Sequence, residues 1–264
     1  MAVLRYDDRG IGHSTGDFST ATSADFADDA EAAVNYIKSR ADLKSLSVGL
    51  MGHSKGGMIA PMVASRNKNV DFIVLLAGPG TPIKELMLQQ TADQARLGGA
   101  TPDEIKQASV MNEQVFALVN QHQKLSTAQL KPVLDTMLYQ SLRKQPAASF
   151  KGKKVEDIVE QSHSVLSPWF RYFLAFNSAD YLTKIKCPAL NGTLDMQVNS
   201  TANLAAIGSA LRKAGNKNFK VMPMTGLNHL FQQAKTGSVA EYAANTETVN
   251  LLALQTVSGW ISRL

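Results

Sequence analysis

The fold is decided by one short stretch, residues 46–66, which reads LSVGLMGHSKGGMIAPMVASR. Its first part, Leu46–Met51, is short and apolar, which predicts a buried strand. Its last part, Lys55–Arg66, predicts a helix that carries Pro61 in its second turn. Between them lies the sequence GHSKG, a G-x-S-x-G pattern. Placed between a strand and a helix, this pattern is typical of a tight turn that projects a serine hydroxyl.

The turn predicts Ser54 as a nucleophile. We expect Gly52 and Gly56 to be required, because a side chain at either position would collide with the neighbouring backbone. Such a turn strains the serine backbone and exposes its hydroxyl. The positive end of the following helix favours negative charge that develops beside the serine. His53 completes this predicted elbow.

A serine hydroxyl is a weak nucleophile and needs a base, which is normally an oriented histidine. The chain has five histidines. His229 directly follows the last predicted strand, and active sites form at the carboxyl ends of parallel strands. We therefore predict His229 as the base. The other four lie in a glycine-rich turn, the elbow and a helical segment: His13, His53, His122 and His163.

The acid that orients the histidine is predicted at Asp195. This residue follows the predicted strand Ala189–Asn191, and the chain order serine, acid, histidine is the one that this turn motif uses. Asp180 is the competing acid, but it precedes the strand and would lie at the opposite edge of the sheet. The predicted catalytic residues are thus Ser54, Asp195 and His229.

Short β-rich stretches alternate with helical ones along most of the chain, which predicts a mostly parallel α/β sheet flanked by helices. The predicted strands are Ala2–Tyr6, Leu46–Met51, Phe72–Ala77, Ala189–Asn191 and Phe219–Met224. The predicted helices are Ser23–Ser39, Lys55–Arg66, Ala202–Ala214 and Glu247–Ile261.

The middle of the chain predicts a different structure. Residues 83–179 contain no convincing strand and show helical spacing, for example at Val115, Leu118 and Val119. We expect this segment to be a helical cap inserted into a core formed by residues 1–82 and 180–264.

Composition excludes several classes of protein. Of 264 residues, 44% are apolar and 19% charged, which excludes a disordered chain. No apolar run is long enough to span a membrane. One cysteine excludes an internal disulfide framework and a multi-cysteine metal cluster. The net charge of +5 is spread without interleaved aromatic residues, so no nucleic-acid partner is expected. No sequence motif indicates a metal or a cofactor.

The chain resembles the α/β-hydrolase superfamily, and within it bacterial serine esterases similar to dienelactone-hydrolase-like and serine-aminopeptidase-like proteins. The resemblance rests on the sequences LRYDDRGIGHS at 4–14, GHSKGG at 52–57, GTLD at 192–195 and NH at 228–229. It implies hydrolysis of a small-molecule carboxylic ester without a cofactor, beneath a helical cap. It also implies that the backbone N–H of Lys55 holds the oxyanion. The natural substrate does not follow, and thioester and peptide cleavage stay open.

The sequence departs from this family at its start. The segment 4–10 resembles the loop after the fourth strand of an eight-stranded sheet, so strands one to three have no counterpart. The turn after the third strand normally supplies the second oxyanion donor. Losing one such donor costs about 2.7–4 kcal/mol of transition-state stabilisation. An N-terminally incomplete chain is the preferred interpretation. The alternative is a short form that makes a homo-oligomer through the open sheet edge.

Two further alternatives stay open at this point. With half of the oxyanion hole missing, the chain could be a hydrolase-like scaffold that binds a ligand with little or no turnover. Its N-terminus shows no basic leader followed by a long apolar region, which as the chain stands indicates the cytoplasm. A longer parent protein would be compatible with the periplasm or with secretion.

Overall fold

The computed structural model describes residues 1–146, 150, 152–182 and 187–264. Within them, four strands form one sheet in the order β1-β2-β3-β4, and every neighbouring pair is parallel. The strands are β1 Gly49–His53, β2 Phe72–Leu76, β3 Cys187–Gly192 and β4 Phe219–Met224. The predicted α/β class with a parallel sheet is confirmed.

Nine α-helices accompany the sheet in the described residues, and five of them lie consecutively between β2 and β3. The helices are α1 Ser23–Ser39, α2 Gly56–Arg66, α3 Ile83–Leu97, α4 Pro102–Gln121, α5 Thr127–Leu142, α6 Val155–Ser162, α7 Pro168–Leu174, α8 Ser200–Lys213 and α9 Leu251–Ile261. Among the described residues, none of the helices is both long and apolar enough to cross a membrane.

Helices cover both faces of the sheet. Successive side chains of a strand point to opposite faces, and β2 shows this alternation. Ile73 and Leu75 belong to the core formed with α1, α2 and α8. Val74 belongs to a second core, to which α9 contributes Ala253 and Val257. Burial on both faces explains why the strand sequence is continuously apolar.

The helices between β2 and β3 have an apolar core of their own, built mainly from α4 and α5. Its buried members are Val115, Phe116, Val119, Leu130, Leu134, Leu138, Leu142, Val159, Leu166 and Leu174. The described residues of this region form no strand, as the helical spacing predicts. The division of the chain into a hydrolase core and a cap stays a prediction.

The two ends of this helical region lie side by side. The backbone N–H of Ile83 donates to the carbonyl oxygen of Phe176, at 3.2 Å. The hydroxyl of Ser178, which is fully buried, donates to the carbonyl oxygen of Pro79. The last residues of the helical region therefore lie next to the segment that follows β2.

One predicted strand is wrong. Ala2–Tyr6 forms no strand, and Val3 is 74% exposed. Within the described residues β1 pairs only with β2, so this apolar run has no neighbouring strand against which to bury its side chains. An oligomer formed through the free edge of β1 stays a prediction.

Several predicted boundaries also differ from the structure, and the two largest shifts are at the starts of β1 and α9. Strand β1 begins three residues later than predicted because the backbone N–H of Val48 donates to the carboxylate of Asp71, at 2.9 Å. Helix α9 begins at Leu251 rather than Glu247. Asn250 caps it, and the Glu247 carboxylate instead accepts from the backbone N–H of Gln233 at 2.6 Å.

Candidate active site

Ser54 lies on the turn between β1 and α2, with a backbone φ of 53°. Residues other than glycine rarely adopt this left-handed conformation, and where they do the strain is often functional. The Ser54 N–H donates to the carbonyl oxygen of Leu76 at the end of β2, at 2.9 Å. The strained turn is thus fixed to the neighbouring strand, directly before α2 begins at Gly56.

The glycines of the turn have different roles. A Cβ at Gly52 would collide with the carbonyl oxygen of Gly56, as the motif predicts. The expectation for Gly56 is wrong, because a Cβ there would meet no atom within 4 Å. The crowded position is Gly57, where a Cβ would lie 2.6 Å from the Cα of Gly78. The Gly56-Gly57 pair in the sequence is the signal that could have indicated it.

Asp195 and His229 lie together and are buried. Their hydrogen bond joins Asp195 Oδ2 to His229 Nδ1 at 2.9 Å, and the side chains are 0% and 5% exposed. Asp195 Oδ1 accepts from the backbone N–H groups of Gln197 and Val198, both at 2.8 Å. A buried carboxylate needs such partners. Since Nδ1 donates to the carboxylate, Nε2 of a neutral His229 is free to accept a proton.

The loop that carries His229 is shaped by Asn228. This side chain is fully buried, and its Oδ1 accepts from the backbone N–H groups of Leu230 and Gln232, at 2.9 and 3.0 Å. The loop lies against the turn that bears Asp195, where the Leu194 N–H donates to the Leu227 carbonyl oxygen at 3.0 Å. The relative position of Asp195 and His229 is therefore set by backbone contacts as well as by their own bond.

His53 connects this loop to the serine turn. Its Nε2 donates to the backbone carbonyl oxygen of His229 at 2.8 Å, and the two ring centroids are 4.7 Å apart. Sequence reasoning placed His53 in the elbow but missed this contact, which joins residues 176 positions apart. In the described residues the Ser54 hydroxyl makes no hydrogen bond to His229.

Lys55 contributes both a backbone and a side-chain feature. Its N–H has no hydrogen-bond acceptor within the described part of the chain, and it lies at the start of α2, where unpaired amides are expected. The side chain extends away to Asp8, with Nζ 3.4 Å from Oδ2. The amide is therefore available to a negatively charged atom beside Ser54.

The competing acid does not reach this site. Asp180 lies in the short 3₁₀ turn Ser178–Asp180 and is exposed. Within the described residues it forms no ion pair with a histidine. In the part of the chain that the structure describes, the acid that forms a hydrogen bond with His229 is Asp195.

Comparison with known proteins identifies the family. Residues 1–132 match the family model described as serine aminopeptidase, S33. The chain belongs to this family. The α/β-hydrolase resemblance expected from the sequence is confirmed.

The proteins similar to this S33 chain include two esterases. Esterase EstD of Thermotoga maritima is 33% identical over 101 residues, which cover 38% of this chain and 24% of EstD. The match thus spans about a quarter of its length. The esterase PF2001 of Pyrococcus furiosus superposes with a TM-score of 0.50 at 15% identity, covering 96% of this chain and 66% of that one. At this identity the superposition supports the fold.

Proposed function

We propose that this chain is a serine hydrolase that cleaves carboxylic esters through an acyl-enzyme on Ser54. The observation that carries the proposal is the buried hydrogen bond between Asp195 and His229. Ordered carboxylate–imidazole pairs of this kind provide the base that a serine nucleophile needs. A hydrogen bond from His53 to the carbonyl oxygen of His229 connects the loop that carries His229 to the serine turn.

The reaction begins when the Ser54 oxygen attacks the ester carbonyl carbon and His229 Nε2 takes its proton. The carbonyl π electrons move to oxygen, and the Lys55 N–H with the positive end of α2 stabilises that negative charge. An electron pair of the oxyanion then reforms the carbonyl, and the bond between the carbonyl carbon and the alcohol oxygen breaks. His229 gives its proton to the departing alcohol oxygen. Ser54 is left esterified.

Water completes the cycle by the same steps. His229 Nε2 removes a proton from the water as its oxygen attacks the acyl carbon, and the proton then passes to the departing Ser54 oxygen. Asp195 keeps the proton of His229 on Nδ1 and stabilises the imidazolium that forms twice per turnover. No cofactor takes part in these steps.

Peptide cleavage is a second candidate, because the matching family model is described as a serine aminopeptidase. The acyl-enzyme would form in the same way, with an amine as the leaving group. An amine leaves less readily than an alcohol, so the proton from His229 would be more important.

A paired substrate test separates these candidates. Purified protein is assayed with short-chain p-nitrophenyl esters and with aminoacyl p-nitroanilides, and labelled with a fluorophosphonate. Ester turnover that Ser54→Ala abolishes supports the esterase. Faster anilide turnover with the same dependence supports the peptidase. Ser45→Ala, at an exposed serine, is the matched control. Turnover and labelling that survive Ser54→Ala would contradict both candidates.

A further inference from the structure

We propose that His53 is a positioning residue, whose side chain fixes the backbone of His229 at a set distance from Ser54. This inference rests on the proposed function, because it assigns His53 a part in the reaction of Ser54 and His229. His53 does not touch the reacting atoms in that mechanism. It acts through His229.

The hydrogen-bond donor His53 and the proposed nucleophile Ser54 are adjacent in sequence, and both are fixed to strand β2. His53 directly precedes Ser54 and is the last residue of β1, where it pairs with Leu76 of β2. Ser54 in turn is fixed by its N–H bond to the Leu76 carbonyl oxygen. A hydrogen bond from His53 to the carbonyl oxygen of His229 therefore fixes the loop at the base residue itself.

The other residues that hold His229 in place belong to different segments of the chain from Ser54. Asp195 holds the imidazole through Nδ1, and Asn228 shapes the loop internally. Both belong to the segments that follow β3 and β4, whereas Ser54 belongs to the segment that follows β1. Since Ser54 Oγ makes no hydrogen bond to His229 in the described residues, the side chain of His53 is the polar link between the two halves of the site.

The charge state of His53 suits this position. Burial lowers the pKa of His53, and the neighbouring His229 lowers it further, whereas the bond to the His229 carbonyl and the charge of Asp195 oppose the shift. His229 and Asp195 are the titratable groups that act on the ring. A neutral His53 donates from Nε2 without repelling the positive charge that His229 gains during turnover. A protonated His53 would repel it.

Three variants separate the hydrogen bond from the bulk of the side chain. His53→Gln retains an N–H at similar reach, whereas His53→Leu retains bulk without a donor. His122→Leu, at the end of α4, is the matched control. We expect His53→Leu to lower kcat roughly tenfold with little change in KM, because small displacements of a base are costly. His53→Gln should restore most of kcat, because its side-chain N–H can still donate to the carbonyl oxygen of His229.

A second readout does not depend on turnover. The proton shared by His229 and Asp195 is expected as a low-field ¹H NMR signal, which His53→Leu should broaden and His53→Gln should preserve. If His53→Leu fails to fold, His53→Met takes its place as the variant without a donor. Normal kcat and a sharp signal in the folded variant without a donor overturn the inference. Absence of Ser54-dependent turnover in the unmodified protein overturns the proposed function instead, and the NMR signal then decides the positioning role alone.

Discussion

The ammonium nitrogen of Lys55 lies 3.8 Å from the centroid of the Phe26 ring. Phe26 is buried on α1, and Asp8 approaches the same nitrogen at 3.4 Å. The residue after Ser54 thus binds α1 and the N-terminal segment to the serine turn. The amide that we propose as an oxyanion donor is held in place by its own side chain.

Lys55→Met tests this attachment, because it removes the charge and retains most of the stem. Cation–π contacts of this kind contribute about 0.5–2 kcal/mol, and an exposed ion pair adds little. We expect the free energy of unfolding, measured in urea, to fall by about 1 kcal/mol. Lys68→Met, at an exposed lysine, should leave it unchanged. Equal losses in the two variants would contradict the assignment.

Gly56→Ala should stabilise the protein, whereas Gly57→Ala should destabilise it. Position 56 has open space for a Cβ, and alanine favours a helix start over glycine by up to about 1 kcal/mol. At position 57 a Cβ would collide with Gly78, and overpacking of this kind lowers stability by about 1–3 kcal/mol. Thermal unfolding of both variants measures the difference. A destabilised Gly56→Ala variant would show that the turn needs glycine there for another reason.

Asp195→Asn should lower ester turnover more than Asp180→Asn. The asparagine would present its amide where the carboxylate accepts from His229 Nδ1, so the imidazole would adopt the wrong tautomer. If the proposed mechanism holds, the expected loss is roughly a thousandfold or more in kcat. Asp180 is exposed and serves as the matched control. Comparable losses in the two variants would favour a different orienting acid.

Asp25 should make stability depend on pH in the acidic range. Hydrogen bonds from the Thr22 backbone and hydroxyl hold the pKa of Asp25 below its ordinary value. The folded protein therefore binds this proton less readily than the unfolded chain. The stabilisation that ionised Asp25 provides is complete above about pH 4 and is lost as the pH falls through the lowered pKa of Asp25. Urea unfolding of the unmodified protein and Asp25→Asn should differ at neutral pH and converge in acid.

Leu134→Ala tests the predicted division between cap and core. Leu134 is fully buried in the core shared by α4 and α5, and such truncations cost about 2–5 kcal/mol. If residues 83–179 form a separate unit, hydrogen exchange should accelerate in α4 and α5 while β1 to β4 keep their protection. Ile73→Ala, in the sheet, should give the opposite pattern. Uniform acceleration in both variants would contradict the division.

Sequence patterns predicted the elements whose signals are local. Helix α1 has the predicted bounds, because Thr22 and Asp25 form a capping box three residues apart. Strand β4 also has its predicted bounds. The two elements whose starts differ most have distant partners there. Asp71 accepts from the backbone N–H of Val48 just before β1 begins. Glu247 accepts from the backbone N–H of Gln233 and lies outside α9.

The same distinction applies to the candidate site. Asp195 and His229 were identified by their places after strands, since parallel topology brings such ends together. The contact of His53 with His229 and the crowding between Gly57 and Gly78 depend on how separate segments pack. No spacing rule along one strand or helix contains that information.

The adjoining ends of the helical region between β2 and β3 have a consequence for engineering. Because Ile83 bonds to Phe176 and Ser178 bonds to Pro79, the first and last residues of this region lie next to each other. Segments with neighbouring ends are the ones that proteins tolerate losing or exchanging, since a short connection can replace them. Exchanging the segment between residues 79 and 178 for a helical region of a related hydrolase is therefore expected to leave the order of the four strands unchanged.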